Sequence, residues 1–200
     1  MSKDYFKNKA DSYDRDSNKH DTLDKIAGLI TSTVQLQPDM CLMDFGSGTG
    51  LLLERVAPYV KKITAVDMSA SMNQQLKQKI EQIGCEVEIV EADLTTTIID
   101  QKFDSIISSM TMHHVEDIKA IFDKFYAMLS EGGFIAIADL DSEDGNFHDE
   151  DTGVYHQGFC RDQLSNVISL TQFRNVKIQS ASTIKKTHGD YSLFLLSAVK

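Results

Sequence analysis

The chain has 200 residues, 42% hydrophobic and 25% charged, a length and balance that suit one soluble domain with a substantial core. Its formal net charge of -10 and the lack of a basic stripe argue against a protein that tracks nucleic acid; Lys185-Lys186 beside His188, the longest basic cluster, reads as a solvated turn. Three scattered cysteines (Cys41, Cys85, Cys160), a charged N-terminus unlike a signal peptide, and no apolar run near the ~20 residues that span a bilayer predict a cytoplasmic protein without disulfides, zinc or membrane contact.

Thr22 to Leu36 carries Leu23, Ile26, Ala27, Ile30 and Val34 at helical spacing, which predicts a leading helix. From about residue 40, short apolar β-type runs alternate with helical patterns, the mark of βαβ units and a parallel sheet. Cys41 to Phe45 is the first strand and runs into Gly46, Gly48 and Gly50; Leu51, Leu52, Leu53, Val56 and Ala57 then form a helix face stopped near Pro58. Ile63 to Val66 is the second strand, ending at Asp67. Ser69 is expected to cap a helix bearing Met72, Leu76, Ile80 and Ile83, with Gly84 as its C-terminal cap.

Val87 to Val90 is the third strand and ends at Glu91-Ala92-Asp93, and Phe103 to Ser109 is the fourth. A helix from about Asp117 to Ser130 follows. Gly132-Gly133 turns the chain into the fifth strand, Phe134 to Ala138. Residues 140–158 are acidic and aperiodic, long for a loop with no other task. A helix from about Arg161 to Leu170 precedes two β-type runs, 176–184 and 191–199, which should pair as an antiparallel hairpin at the sheet edge.

The chemistry concentrates in Asp44-Phe45-Gly46-Ser47-Gly48-Thr49-Gly50. Closely spaced glycines after a buried strand let the backbone turn sharply and approach a ligand with no Cβ between. Ligands of open α/β sheets sit beyond the carboxyl ends of strands, where the strand order reverses. Asp67, 17 residues past Gly50, is placed to accept hydrogen bonds from two ribose hydroxyls. The spacing is G-x-G-x-G, with Leu51 where a dinucleotide fingerprint needs its last glycine, which disfavours a nicotinamide oxidoreductase. Asp44 also suits an ammonium group better than a pyrophosphate.

The segment Asp44 to Gly50 resembles the first motif, D-x-G-x-G-x-G, of class I S-adenosylmethionine-dependent methyltransferases. Asp67-Met68-Ser69 is similar to the acidic second motif and Glu91-Ala92-Asp93-Leu94 to the third. Phe103-Asp104 through His114 resembles the fourth strand and its loop. Leu129 to Phe134 resembles the L-x-P-G-G turn, with Glu131 in place of the usual proline. Tyr5-Phe6 through Tyr13-Asp14 looks like the start of many small single-domain members, where it often lies over the cofactor.

The resemblance implies a Rossmann-like α/β fold: a seven-stranded, mostly parallel sheet of order 3-2-1-4-5-7-6, strand 7 antiparallel, with helices on both faces. It implies one domain over 1–200. In that domain, 1–38 would be a lid and leading helix, 39–139 the cofactor-binding core, and 140–200 an acceptor-side loop, helix and hairpin. It assigns Gly46, Ser47, Gly48 and Gly50 as the backbone bed for the cofactor, with Asp44 near its ammonium. Asp67 would hold the ribose, Met68 and Leu94 would lie at the adenine, and Asp93 would accept from its amino group. Ser109 and Met110 would line the path to the sulfonium.

Tyr13, His113, His114, Tyr155 and His156 are the candidate acceptor-side residues. His114 is the candidate base, and the catalytic group is otherwise unassigned. The stretch 139–156 holds five aspartates, two glutamates, His148 and His156, but no regular ligand spacing, so no metal is assigned. The expected partner is a small-molecule acceptor; oligomeric state is not readable. The alternative is a catalytically weak, methyltransferase-like subunit acting through a protein partner.

Overall fold

The computed structural model describes residues 4–7, 9–15, 17–150 and 152–200. Seven strands form one sheet in the order β3-β2-β1-β4-β5-β7-β6. They are β1 (Cys41–Phe45), β2 (Lys62–Asp67), β3 (Glu86–Glu91), β4 (Phe103–Ser109), β5 (Leu129–Leu140), β6 (Arg174–Lys186) and β7 (Gly189–Val199). Pairings from β3 across to β5 are parallel, and β7 runs antiparallel to both β5 and β6. The order expected from the resemblance and the hairpin read from the pattern are both observed. The strand order reverses between β1 and β4, which opens a crevice at their carboxyl ends.

Five helices cover the sheet: α1 (Ser17–Thr33), α2 (Leu51–Val56), α3 (Ala70–Lys79), α4 (Ile118–Met128) and α5 (Arg161–Ser169). The central strands alternate between two cores, because successive side chains point to opposite faces. Leu42, Ile107, Ala136 and Ala138 pack with Ile26, Ile30, Leu52, Leu53 and Leu76 of α1 to α3. Met43, Phe45, Ile106, Ile135 and Ile137 pack with Phe122, Phe125, Leu164 and Ile168 of α4 and α5. Among the described residues no helix is long and apolar enough to cross a membrane.

Three expectations need correction. Helix α1 begins at Ser17, a turn and more before the apolar periodicity, and ends at Thr33. Polar bonds hold that extra turn: Arg55 donates to the His20 carbonyl at 3.3 Å, and His20 Nε2 donates to the Asp14 carbonyl at 2.7 Å. Ser69 caps α3 as expected, accepting the Met72 N–H, but α3 ends at Lys79. A tight turn over Ile80–Gln82 follows, and Gly84 is not among the residues with positive φ, so it is no left-handed cap. Finally, the Lys185-Lys186-His188 cluster is not simply solvated. The Lys186 ammonium donates to the Phe147 carbonyl and lies 4.4 Å over the Phe147 ring, while His188 Nε2 donates to the Asn146 carbonyl at 2.8 Å.

Those contacts tie the hairpin to the 141–158 loop, whose acids are otherwise matched locally. Asp141 takes two hydrogen bonds from Arg161 at 2.6 and 2.7 Å, and Glu150 pairs with Lys9 at 3.0 Å. The Glu143 carboxylate accepts the N–H groups of Gly145 and Phe147. Asp151 lies outside the described residues.

Candidate active site

The glycine loop folds over the end of β2. Gly46 and Ser47 donate their N–H groups to the Val66 carbonyl, at 2.8 and 3.2 Å. Gly46 has φ +69, and a Cβ there would meet the Thr111 side chain at 2.2 Å, so the loop after β4 closes tightly on it. Gly48, at φ +54, is different: a Cβ on it would meet nothing within 4 Å. Its open side faces a crevice made of two adjoining cavities of about 570 and 520 Å³. Gly46, Gly48, Ser109, Met110, Tyr13 and His114 border both.

Asp44 lies at the floor of the first cavity, 1% exposed, with Oδ2 buried and lacking any hydrogen-bond partner. Burial, with Asp67 adding repulsion, pushes its carboxyl up to about 8. Asp67 borders the second cavity; its Oδ2 accepts the Gly48 N–H at 2.8 Å and its Oδ1 the Ser69 N–H at 2.7 Å. Burial raises its pKa, against the opposing effect of those two bonds. Met68, exposed, and Leu94, buried, line the same cavity. Asp93 lies there too, with Oδ1 accepting from the Thr95 N–H and hydroxyl at 2.8 and 2.6 Å. Ser47 and Ser109 have buried, unpartnered hydroxyls. Met110 adopts φ 57, a conformation that costs a non-glycine residue ~1–2 kcal/mol, at the meeting point of the cavities.

The N-terminal segment closes over the crevice through two latches. The Asp4 carboxylate accepts from the Ser69 and Ser71 hydroxyls, both at 2.9 Å. Asp14 accepts from the Thr49 hydroxyl at 2.5 Å and from Lys79 at 2.8 Å. Phe6 meets Tyr13 and His114 edge-on, with ring centroids 6.5 and 5.9 Å apart.

Beside the first cavity the short turn Met112–His114 follows β4. His113 is 1% exposed, and its Nδ1 lies 2.6 Å from Asp139 Oδ1. The rings of His114 and His148 pack on it, with centroids at 4.3 and 5.0 Å. Burial and repulsion from His113 hold both neighbours down to about 4, so they stay neutral at ordinary pH. Among the described residues no three His, Cys, Asp or Glu side chains converge as metal ligands.

Tyr155 borders the second cavity, but His156 borders neither; its Nε2 donates to the Val115 carbonyl at 2.9 Å and pins the loop. That placement sets its ring against the loop backbone rather than at either of these two cavities. Sequence reasoning overlooked Phe147 and Lys186 as cavity residues and Asp139 as the partner of His113. One signal was present: Asp139, like Asp44 and Asp67, is an acid at a strand's carboxyl end.

Residues 43–137 match the family model described as a methyltransferase domain. An uncharacterized methyltransferase of Schizosaccharomyces pombe is 26% identical over 168 residues, 76% of this chain and 57% of that protein. One from Mycobacterium bovis is 28% identical over 98 residues, 48% of this chain and 49% of the relative. The chain thus spans about half the length of the curated relatives it matches. Among solved structures, the YcgJ protein of Bacillus subtilis superposes with a TM-score of 0.70 at 15% identity, over 88% of this chain and 97% of that one. Phosphoethanolamine N-methyltransferase 2 of Haemonchus contortus, in complex with phosphomonomethylethanolamine and S-adenosylhomocysteine, gives 0.72 at 14% identity, over 88% and 52%. At these identities the structural likeness is one of fold.

Proposed function

We propose that the chain is a class I S-adenosylmethionine-dependent methyltransferase that transfers a methyl group to a small-molecule acceptor by in-line displacement, a reading supported by the matched methyltransferase domain and the shared fold. The observation that carries the reading is Asp44: a buried carboxylate oxygen without a partner, beside a glycine whose open face borders the crevice. A buried acceptor left unmet costs ~1–3 kcal/mol, and the ammonium of the methyl donor would satisfy it. The residues present therefore fit the donor.

In this reading Gly46, Ser47, Gly48 and Gly50 give the donor a close backbone bed. Asp67 holds the ribose hydroxyls with the lone pairs that Gly48 and Ser69 leave free. Met68 and Leu94 enclose the adenine, and Asp93 accepts from its amino group. Ser109 and Met110 border the transfer path, and Tyr13, His113, His114 and Tyr155 face the acceptor side. S-adenosylmethionine, when bound, supplies a methyl carbon already activated by the sulfonium. The protein's part is to align nucleophile, methyl and sulfur and to exclude water, an entropy-trap contribution of up to several kcal/mol. Residues 1–38 serve as lid, 39–139 as the cofactor-binding core and 140–200 as the acceptor side of one domain. The net charge of -10 and the three free cysteines support a small-molecule acceptor rather than nucleic acid, and a cytoplasmic setting.

Asp44 gives this reading a pH signature. With its carboxyl raised to about 8, it is mostly protonated at neutral pH and must ionise to meet an ammonium. Binding of S-adenosylhomocysteine should release up to one proton at pH ~7, and affinity should rise about tenfold per pH unit towards ~8. It should level off near pH ~8, where Asp44 is ionised, and fall above that as the ligand's own α-ammonium, near ~8, deprotonates. Isothermal titration in buffers of different ionisation heats measures that proton, and Asp44→Asn should abolish it. Binding heats that are independent of buffer would remove Asp44 from the ammonium site. No binding of donor or product at all would sink the enzyme reading.

A further inference from the structure

Resting on the methyl-transfer reading, a second feature of the crevice identifies a proton acceptor. The Asp139 carboxylate is fully buried and held by three donors: His113 Nδ1 at 2.6 Å, the Leu140 N–H at 2.7 Å and the His113 N–H at 3.3 Å. A carboxylate on Nδ1 fixes the proton there, so in the neutral ring Nε2 is the bare nitrogen. That Nε2 is buried and has no hydrogen-bond partner. A pair serving only to join β5 to the turn after β4 would leave this nitrogen unmet at a cost of ~1–3 kcal/mol. His113 also borders the first cavity, three residues beyond Met110 where the two cavities meet.

The surroundings indicate what the nitrogen awaits. Phe6, Tyr13, Phe147 and the neutral rings of His114 and His148 give this cavity aromatic walls. His114 and His148, held to about 4, do not compete for a proton at neutral pH. His148 rides on the 141–158 loop, with Nδ1 3.3 Å from the Thr152 hydroxyl and its ring packed on His113.

We propose that His113, oriented by Asp139, is the general base of the transfer, and that the acceptor is an aromatic ring bearing a hydroxyl. The hydroxyl oxygen forms the new O–C bond with a lone pair. The S–C bond breaks with its electron pair passing to sulfur. The O–H proton passes to His113 Nε2, leaving an imidazolium beside the Asp139 carboxylate that returns its proton to solvent. Asp139 is the positioning residue: it acts through His113.

The test uses two phenols with the wild type, His113→Gln and Asp139→Asn, following S-adenosylhomocysteine release. At mildly alkaline pH 4-nitrophenol is already ionised, whereas 4-methoxyphenol still has a proton to lose. The wild type should methylate both. Both variants should lose about 100-fold in kcat on 4-methoxyphenol, keep most of their turnover of 4-nitrophenol, and bind S-adenosylhomocysteine as the wild type does. Separately, the ring ¹⁵N signals of His113 should report a proton on Nδ1 in the wild type and lose that preference in Asp139→Asn. This readout needs no methyl donor and decides the matter should His113→Gln fail to fold.

An equal loss on both phenols would reduce the pair to a structural role and overturn the proposal. So would a wild type that binds S-adenosylhomocysteine but methylates neither phenol, or a stoichiometric metal ion on the three imidazoles. Failure of the wild type to bind S-adenosylhomocysteine would instead overturn the methyl-transfer reading beneath it.

Discussion

Replacing Asp67 by alanine is expected to weaken S-adenosylmethionine binding about 1000-fold, close to abolishing it. In the proposed complex the carboxylate accepts from two ribose hydroxyls, and hydrogen bonds to a charged group contribute ~1.5–3 kcal/mol each. The side chain has a second task, because it also takes the N–H groups of Gly48 and Ser69 and so holds the glycine loop to the start of α3. Alanine removes both functions, leaving the Gly48 N–H unmatched where the ligand should lie. Asp67→Asn keeps one acceptor oxygen and should fall between the two. The folded state should survive, since Asp67 lies at the rim rather than in either core cluster. Isothermal titration with circular dichroism as a folding control measures this. An Asp67→Ala protein that binds within tenfold of the wild type would remove the ribose assignment.

Gly158→Ala is expected to destabilise the protein by about 4 kcal/mol, a drop of roughly 10 °C in Tm for a chain of this size. Gly158 has φ +67, which alone costs an L-residue ~1–2 kcal/mol. The larger part is steric. A Cβ would lie 2.1 Å from the Asp141 carbonyl oxygen and 2.6 Å from its carbon, and these are backbone atoms that cannot swing aside. The two segments are tied where they touch: Phe159 donates its N–H to the Leu140 carbonyl at 2.9 Å, and Ser142 to the Phe159 carbonyl at 3.1 Å. Substitution should therefore spread the neck of the 141–158 loop, which carries Phe147 and His148 to the acceptor cavity. Thermal unfolding gives the stability, and the acceptor-side effect should appear as a raised KM. Gly48→Ala is the comparison: its Cβ points into open crevice, so stability should fall by no more than the backbone penalty while cofactor affinity drops. A Gly158→Ala protein with unchanged Tm would mean the neck opens freely.

The parts legible in the sequence are those written in local chemistry. β-type runs at 41–45, 63–66 and 103–109 marked β1, β2 and β4. Helical spacing marked α4, and Gly46, Gly48, Asp44 and Asp67, singled out by their spacing, border the crevice, while Gly50 faces Leu76 instead. What failed rests on contacts between residues distant in the chain. The first turn of α1 is held by Arg55 and Asp14 rather than by an apolar stripe, so periodicity could not see it. The Lys186 ammonium is bound by a carbonyl and a ring from a loop far back in the chain.

The His113 end of the crevice belongs to tertiary structure. His113 and Asp139 are 26 residues apart, and they meet because β4 and β5 pair in a register that sets Ser109 beside Ala138. His148 and Phe147 reach that pair through a loop closed at Gly158, and Phe6 reaches His114 from the far end of the chain. Sheet register and loop closure are fixed by packing over the whole core, and no residue encodes them alone. The sequence by itself therefore determined the sheet and the glycine-loop end of the crevice, where strand, glycines and acid are neighbours in the chain. The His113–Asp139 pair and the aromatic walls beside it are made by residues that only packing brings together.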